Sequence, residues 1–459
     1  MSTPILAIDI GSTKICAIIG KLENGEVEVS GHGVAHSQGI KKGTITNIEL
    51  ASKAIKKAAE DAKRIAGINI TTATISISGA YTKSTHSRGV VNIPNNDISI
   101  NEINRVMQTA LYNANIPNEF EILHVLPYKF KIDEQDFIED PYGMNASRME
   151  VKSHIIMTAK SSLENLKKAV NAAGIEIGKV VLSGYASSIA VIDKDDKERG
   201  IAVIDLGGQT SNLIIHSNNA IQYNDFLSVG SNHITNDLSI ALHTPLDTAE
   251  ELKIYKGSLL QGDENETVEL PIIGDEHNTN TVSLDIVHNI IYSRMEEALT
   301  ILANSIVESG LKDYIGSGIM LTGGMTHIRG TRELAQALMP NIPIRIGRPR
   351  ELNKMSNELL FPEFSTAVGL LLYGAGEYTE YELDRAKQML HSKEYVPKES
   401  LSDIAINNNL SQPKPKISVS QPSFTEKSEH DLFADLSKES VKDNSNPVQS
   451  FMDWAKKIF

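Results

Sequence analysis

The sequence has few of the residues that build disulfides or membrane spans. Among its 459 residues there is one cysteine, Cys16, so no internal disulfide can form and a redox role is not expected. No apolar run approaches the roughly 18 residues that a spanning helix needs. The first ten residues have no basic segment typical of a signal peptide. We therefore expect a protein of the reducing cytoplasm.

Positive charge is also scarce. The chain carries 44 Lys and Arg residues against 58 Asp and Glu residues, which gives a formal net charge of -14. Proteins that bind nucleic acid neutralise phosphates with lysine and arginine, so no nucleic-acid partner is expected. The length predicts several subdomains with sizeable hydrophobic cores.

Two stretches of the chain share one pattern. Ile5–Ile19 and Ile201–Ile214 each begin with an apolar strand that ends in an aspartate, Asp9 or Asp205. A polar turn with glycine follows, and then a second apolar strand. Glycine allows a tight turn whose backbone N–H groups converge on one point, which suits a phosphate. The repeat predicts two similar half-domains with the phosphates of a nucleotide between their turns.

The residues of the two turns have the chemistry of a phosphate and magnesium site. Lys14 supplies a positive charge, and Ser12 and Thr13 supply hydroxyl donors. Asp9 and Asp205 are predicted to hold Mg²⁺ through water, because this ion keeps several of its waters. The predicted phosphate contacts are Gly11, Ser12, Thr13, Lys14, Gly207, Gly208, Gln209, Thr210 and Asn212. Neither turn is a Walker A loop, since a strand and not a helix follows each; an ordinary Gly-Gly hairpin is the alternative for either turn alone.

A later glycine pair resembles the adenosine motif of the actin-like ATPase superfamily. Gly318–Met325 is a short apolar run that ends in Gly323, Gly324 and Met325. In the superfamily, the glycine pair lets the backbone lie against the base and ribose. The resemblance therefore implies that these residues contact a bound adenosine.

Two other pairs are expected at the same site. Glu250 and Lys253 are three residues apart and share a helix face, where the superfamily places a pair that reaches the adenosine. A solvated ion pair is the alternative. Gly230 and Ser231 precede a helix and are predicted to form another turn that faces the phosphates.

Between about residues 79 and 159 the chain leaves the duplicated pattern. The segment has the strand-like stretches Gly89–Ile93, Glu121–Ile132 and Met149–Thr158, and a helical stretch near Ile100–Asn113. These elements predict a small inserted α+β module. Its acidic stretch Asp133–Asp140 is predicted to be a solvated loop.

The composition changes again from about residue 392. Lys, Ser, Asn, Gln and Pro dominate Ser411–Pro447, which predicts a disordered linker. Asn446–Phe459 follows, with a proline at its first helical position and apolar residues at helical spacing. We predict an amphipathic helix that lies in the membrane plane and binds reversibly, several copies being needed for stable attachment. Its membrane-facing residues are Val448, Phe451, Met452, Trp454, Ala455, Ile458 and Phe459. A helix docked on its own domain is the alternative.

Together these motifs resemble those of the FtsA family, the actin-like bacterial cell-division proteins, over roughly residues 1–385. In chain order they are DIGSTK, the insertion, DLGGQTSN, AEELK, LTGGM and STAVGLLLYG. The resemblance implies an α/β, actin-like (ribonuclease-H-like) duplicated fold that binds ATP and Mg²⁺ and forms filaments. It also implies an adaptor that tethers the tubulin-like protein FtsZ, by its C-terminal tail, to the cytoplasmic face of the inner membrane at the septum. Recruitment of later division proteins is implied as well.

The same resemblance sets the expected domain boundaries. Domain one is expected at residues 1–82 and 160–199, the inserted subdomain at 83–159 and domain two at 200–391. The linker is expected at 392–445 and the membrane helix at 446–459. Within domain two, the predicted helix Asp285–Ser309 is the candidate surface for the FtsZ tail.

Two departures from the family pattern affect the expected chemistry. Ser231 stands where family members often have a second glycine, which bears on the phosphate contact there. Ser183 stands near the position where hydrolysing members of the superfamily have Gln or Glu, so we expect nucleotide binding with slow or no turnover.

Three other kinds of protein share this fold. A pilus-assembly adaptor of the PilM type has the same core and insertion but gives no reason for the C-terminal helix. A small-molecule kinase needs a catalytic carboxylate, for which the sequence has no clear candidate. A rod-shape filament protein of the MreB type would lack the insertion.

Overall fold

The computed structural model describes residues 3–260 and 266–392, so the predicted linker beyond residue 392 and the predicted membrane helix lie outside the described residues. The strands are β1 (Thr3–Ile10), β2 (Lys14–Glu23), β3 (Glu26–His36), β4 (Ile40–Lys41), β5 (Thr44–Ile45), β6 (Thr72–Ile77), β7 (Thr82–Asn92), β8 (Phe120–Ile132), β9 (Gln135–Ile138), β10 (Arg148–Ala159), β11 (Glu176–Leu182), β12 (Ile201–Leu206), β13 (Ser211–Ser217), β14 (Ala220–Leu227), β15 (Thr267–Ile272), β16 (Asp275–Ser283), β17 (Ile319–Thr322) and β18 (Ile344–Ile346). The α-helices are α1 (Ile48–Ala66), α2 (Ile100–Asn113), α3 (Lys160–Ala172), α4 (Ser183–Val191), α5 (Lys194–Arg199), α6 (Ser231–Leu242), α7 (Leu246–Lys256), α8 (Leu284–Glu308), α9 (Thr331–Leu338) and α10 (Ser365–Ala375).

Two five-stranded sheets have the same topology. Their strand orders are β11-β6-β1-β2-β3 and β18-β17-β12-β13-β14. In each, three consecutive strands form an antiparallel meander, a later strand pairs in parallel with the first of them, and another later strand pairs in parallel with that one. Asp9 ends up paired with Cys16, and Asp205 with Asn212, at equivalent places in the two meanders. The duplication predicted from the paired motifs is therefore present in the backbone.

Helix α1 shows how closely the first sheet is covered. Its N-cap Asn47 accepts a hydrogen bond from the Leu50 N–H (3.0 Å), and it ends at Gly67 in the left-handed region (φ 65°). A Cβ on Gly33 of β3 would lie 2.3 Å from the Ala58 carbonyl oxygen, so only small residues fit between helix and strand. The helix accordingly buries an alanine-rich face. The helical spacing of Ile48–Ile65 also predicts that Leu50 and Ile65 lie on this face, which is wrong, since they are 40% and 55% exposed.

The inserted module forms a separate antiparallel sheet, β7-β10-β8-β9, with α2 packed on β7. It has its own hydrophobic core. The acidic stretch predicted to be a solvated loop instead contains β9, which pairs with β8 through Ile138 and Phe130. Ile138 packs against the module's core, and this apolar contact explains why the stretch forms a hairpin.

The last helix crosses back to the first half of the molecule. Phe364, Ala367, Leu371 and Tyr373 are buried in the core of the first sheet, although the predicted boundary assigned them to domain two. We therefore propose that residues 365–391 belong structurally with the first half. Among the described residues, no helix is long and apolar enough to cross a membrane.

The longest of these helices, α8, packs in the core of the second sheet. The apolar spacing within Asp285–Ser309 predicts that Met295, Leu299 and Leu302 lie on its buried face, and this is confirmed. Ile286, predicted on the same face, is 50% exposed, because in this turn the helix buries Leu284 and Val287 in that core and turns Ile286 away from it.

Candidate functional site

The two predicted turns line one cavity of about 640 Å³, a volume suited to a nucleotide-sized ligand. Seventeen of the eighteen predicted cleft residues line it: Asp9, Gly11, Ser12, Thr13, Lys14, Asp205, Gly207, Gly208, Gln209, Thr210, Asn212, Ser231, Glu250, Lys253, Gly323, Gly324 and Met325. The structure thus brings together residues from five separate segments of the chain.

Gly230, the eighteenth, is not in the wall of this cavity. It lies behind the second turn, where a Cβ would come within 2.5 Å of the Gly207 carbonyl oxygen. The N–H groups of Ser231 and Asn232 donate to the carbonyls of Gly207 and Gly208, at 3.0 and 2.7 Å. The start of α6 therefore supports the turn, and the prediction that Gly230 itself faces the cavity is wrong.

The two turns touch each other across the cavity. A Cβ on Gly208 would lie 1.8 Å from the Thr13 hydroxyl oxygen, so a larger residue fits at this position only if Thr13 moves. The second turn is closed by a hydrogen bond from the Gly207 N–H to the Thr210 carbonyl (2.9 Å). The halves of the molecule thus meet where the phosphates are predicted to lie.

The two aspartates have equivalent supports. The Ser76 hydroxyl donates to Asp9 (3.0 Å), and the Thr366 hydroxyl donates to Asp205 (3.2 Å). Burial raises the pKa of Asp9 to about 6, while the Ser76 hydrogen bond and the Lys14 charge oppose the rise. Burial likewise raises the pKa of Asp205. The raised pKa values mean that both ionised carboxylates are unfavourable without a nearby positive charge. A hydrated divalent cation at this site would supply that charge and stabilise both.

Lys14 has the environment of an anion-binding group. Its amino group is buried and has no hydrogen-bond partner among residues 3–260 and 266–392. It lies 3.6 Å from the centre of the Phe364 ring. Burial lowers the pKa of Lys14, and the nearby Glu363 opposes this shift. A buried ammonium without an acceptor is unfavourable, and a phosphate oxygen in the cavity would satisfy it.

Glu250 and Lys253 form the ion pair that their spacing predicts. The Lys253 amino group donates to the Glu250 carboxylate (2.7 Å) and to the Thr235 hydroxyl (2.9 Å). The solvated alternative does not hold for the lysine, which is only 6% exposed. These bonds satisfy the buried ammonium group. Because both side chains line the cavity, the pair is also within reach of a ligand.

The hairpin β4–β5 is a part of the site that no motif indicates, because the composition of Gln38–Ile45 predicts only a short basic loop. The Lys42 N–H donates to the Gln209 side-chain oxygen (2.7 Å), and the Gly43 N–H donates to the Ser12 hydroxyl oxygen (2.9 Å). These bonds use the acceptor atoms of both side chains. The hydroxyl proton and the amide NH₂ group are left to donate to an anion.

Other wall residues also escaped prediction. Ser76 and Ser183 lie at or just after the ends of β6 and β11, which run parallel to β1, so their position beside Asp9 could have been inferred from the topology. A second group comes from turns between β17 and α10 that carry no recognisable motif: His327, Glu358, Phe361, Glu363 and Phe364. His327 and Glu363 contact each other at 2.6 Å.

Family models match two parts of the chain. A model described as "Cell division protein FtsA" matches residues 202–369, and one described as "SHS2 domain inserted in FTSA" matches residues 79–157. The chain is 38% identical over 463 residues to the cell division protein FtsA of Helicobacter pylori. That alignment covers 94% of this chain and 92% of the H. pylori protein. It is 34% identical over 373 residues to FtsA of Pseudomonas aeruginosa, and this alignment covers 81% of this chain and 89% of the P. aeruginosa protein.

Solved structures confirm the predicted actin-like fold. A chain of the PilM–PilN type IV pilus biogenesis complex aligns with a TM-score of 0.58 at 15% identity, covering 81% of this chain and 98% of that one. MreB5 of Spiroplasma citri bound to ADP aligns with a TM-score of 0.51 at 14% identity, covering 81% and 95%. At such low identity these two structures show the fold alone. The relatives at higher identity decide the family: this chain belongs to the FtsA family, and its role is in cell division.

Proposed function

We propose that this chain binds ATP with Mg²⁺ in the cavity between the two turns. The observation that carries the proposal is the buried Lys14 amino group, which faces a cavity lined by both turns and lacks an acceptor among the described residues. Asp9 and Asp205 would hold the magnesium ion through its waters, and Gly323 and Gly324 would lie against the adenosine. The MreB5 structure of the same fold is described as bound to ADP, which supports a nucleotide as the ligand.

Hydrolysis is proposed to be slow or absent. Ser183 lines the cavity where hydrolysing members of the superfamily have a longer polar side chain. The Gln209 side chain is available in the cavity, but its oxygen already accepts from Lys42. Steady-state phosphate release should therefore fall well below the typical enzyme range of about 1–10³ per second.

We further propose that the bound nucleotide serves an adaptor that assembles into filaments and tethers FtsZ to the cytoplasmic face of the inner membrane. The family membership and the amphipathic pattern of residues 446–459 support this role. Helix α8 is the proposed contact for the FtsZ tail, since Ile286, Tyr292 and Ile301 leave apolar surface exposed along it. Recruitment of later division proteins is part of the same proposal.

Vesicle co-pelleting of the full chain with ATP and Mg²⁺ tests the adaptor. The protein should sediment with vesicles, and FtsZ should sediment only when the protein is present. Removal of residues 446–459, or Trp454→Glu, should leave both in the supernatant, because a charge on the inserted face carries a large desolvation cost. Lys456→Gln with Lys457→Gln is the matched change on the polar face, and it should weaken binding only modestly. Release by salt alone, with Trp454→Glu still bound, would contradict an inserted helix.

A further inference from the structure

A segment at the end of the described chain is fixed by a buried carboxylate that the proposed nucleotide site does not use. Residues 376–391, which we call the strap, follow α10 and lead towards residue 393. Glu382 lies in the middle of the strap and is fully buried. Burying an ionised group is strongly unfavourable unless it is well hydrogen-bonded, so its partners indicate what the strap is built to contact.

Three buried side chains from three different elements surround the Glu382 carboxylate. The Tyr185 hydroxyl of α4 donates to one oxygen (2.9 Å), and the Tyr373 hydroxyl of α10 donates to the other. His124 of β8 contacts the second oxygen through Nδ1 at 3.1 Å. Burial and the Glu382 charge raise the pKa of both tyrosines well above the ordinary value, so both remain donors.

The histidine connects this cluster to the wall of the cavity. Its Nε2 accepts a hydrogen bond from the Leu182 N–H (3.1 Å), and a backbone N–H can only donate. Nδ1 therefore carries the proton and donates it to Glu382. Leu182 is the last residue of β11, and the next residue, Ser183, lines the cavity. The strap is thus two hydrogen bonds away from the candidate nucleotide site.

The strap also completes the inserted subdomain. Leu383 and Val125 of β8 exchange both backbone hydrogen bonds, at 2.9 and 3.0 Å. Tyr381 and Leu383 are buried in the core of the inserted sheet. The Tyr381 hydroxyl donates to Asp140 (2.6 Å), and Arg385 contacts Glu121 (3.1 Å).

A buried polar network of this kind favours two states. With every donor in place it is stable, whereas a partly satisfied network leaves a buried charge or hydroxyl without a partner. The strap should therefore be docked as a whole or released as a whole. Any shift in the end of β11 acts directly on the His124 bond, which is part of that network.

We propose that docking of the strap and nucleotide binding in the cavity are thermodynamically linked through Glu382, His124 and the end of β11. Glu382 is on this account a positioning residue, since it does not line the cavity and acts on its wall through other residues, above all His124. The proposal rests on the proposed nucleotide function. Linkage is reciprocal. If the docked strap raises the affinity for nucleotide by some factor, bound nucleotide shifts the docking equilibrium of the strap by the same factor.

Hydrogen–deuterium exchange on the full chain tests this linkage directly. Peptides from residues 376–392 should exchange more slowly when ATP and Mg²⁺ are added. Tyr373→Phe removes one donor and keeps the ring, so it should speed exchange in the strap and weaken ATP affinity about fivefold, at the low end of typical coupling factors. Lys387→Gln is the matched control, because it changes an exposed side chain of the strap whose docking contact, to Gln108, is made by the backbone carbonyl. It should leave ATP affinity unchanged.

Two outcomes would overturn the linkage. In the first, the unmodified chain binds ATP, but the hydrogen–deuterium exchange rate of the strap does not change. The other is a Tyr373→Phe variant with a loosened strap and unchanged affinity. If Tyr373→Phe leaves the strap as protected as before, Glu382→Gln makes the larger change and is judged by the same two criteria. Failure of the unmodified chain to bind ATP would refute the proposed nucleotide function first, and the two failures are therefore distinguishable.

Discussion

The two phosphate turns share a backbone plan but differ in what they contribute. The turn after β1 carries the charge, because Lys14 is buried there without an acceptor among the described residues. The turn after β12 carries no charged side chain beyond its aspartate and instead has two adjacent glycines, one of them pressed against Thr13. The two turns therefore differ in role: the turn after β1 attracts an anion by its charge, and the turn after β12 fits closely around it.

The strongest test of this difference is a substitution in the second turn. Gly208→Val should abolish ATP binding, with an affinity loss of at least about a hundredfold, since a Cβ would lie 1.8 Å from the Thr13 hydroxyl oxygen. Calorimetric titration of the folded variant measures the loss. Gly208→Ala combined with Thr13→Ala removes the clashing oxygen and should recover part of the affinity. An unchanged affinity for Gly208→Val would show that the turns are not in contact in solution.

The matching test of the first turn removes its charge. Lys14→Met should lower ATP affinity by roughly 10- to 150-fold, the range expected for one charge-assisted hydrogen bond. The same change should raise the melting temperature of the nucleotide-free protein, because a buried ammonium without an acceptor is replaced by an apolar chain. Lys42→Ala, which alters only an exposed side chain near the site, is the control and should change neither quantity. Loss of affinity without a gain in thermal stability would mean that Lys14 is solvated.

Acid should weaken the magnesium contribution. The raised pKa of Asp9, about 6, means that the carboxyl is ionised above pH 6 and becomes protonated below it. Only the ionised form attracts the cation, so Mg²⁺-dependent ATP affinity should fall about tenfold per pH unit well below the midpoint. Bound Mg²⁺ should move that midpoint to lower pH.

Asp9→Asn serves as the reference for this titration. It should bind ATP with little dependence on Mg²⁺ and a flatter pH profile. The same pH profile in Asp9→Asn as in the unmodified chain would assign the titration to another group.

The smallest effect is expected at the hairpin that touches both turns. Gly43 and Gly25 both have left-handed backbones, with φ of 76° and 83°. A Cβ on Gly43 would lie 2.1 Å from the Ser78 hydroxyl oxygen, whereas a Cβ on Gly25 would meet nothing within 4 Å. Gly43→Ala should therefore weaken ATP affinity about two- to fivefold by displacing the hairpin, a loss of up to about 1 kcal/mol. Gly25→Ala shares the backbone strain and should not change affinity; equal effects would argue against a role for the hairpin.

Sequence reasoning found the parts of the site that repeat or carry motifs. The strand–Asp–Gly–polar pattern located both turns, because local chemistry alone determines a tight turn after a buried strand. It could not find Phe361 or Glu363, which reach the cavity only because the chain crosses back from the second half through turns without a motif. It also placed Gly230 in the wall, since sequence does not show which side of a turn a neighbouring helix occupies.

The predicted secondary structure was likewise correct where local sequence determines it and wrong where packing does. The predicted helix Ile48–Ile65 agrees with α1 to within one residue, because its helical periodicity is strong. Its buried face was misjudged, since the choice between Leu50 and the alanines depends on how closely Gly33 lets the sheet approach. Strand β9 was missed because its residues are mostly exposed, and only Ile138 shows the apolar contact that pairs it with the neighbouring strand β8.

The contact between Thr13 and Gly208 has a consequence for the kinetics of ligand exchange. A ligand whose phosphates lie between the two turns is held from both sides where Thr13 and Gly208 meet, so we expect the halves to swing apart before it enters or leaves. Domain motions of this kind take microseconds to milliseconds. Association should then be slower than the roughly 10⁹ per molar per second diffusion limit and level off at high ligand concentration. The residence time of the ligand would be set by how often the halves open, and a filament contact that holds them together would lengthen it.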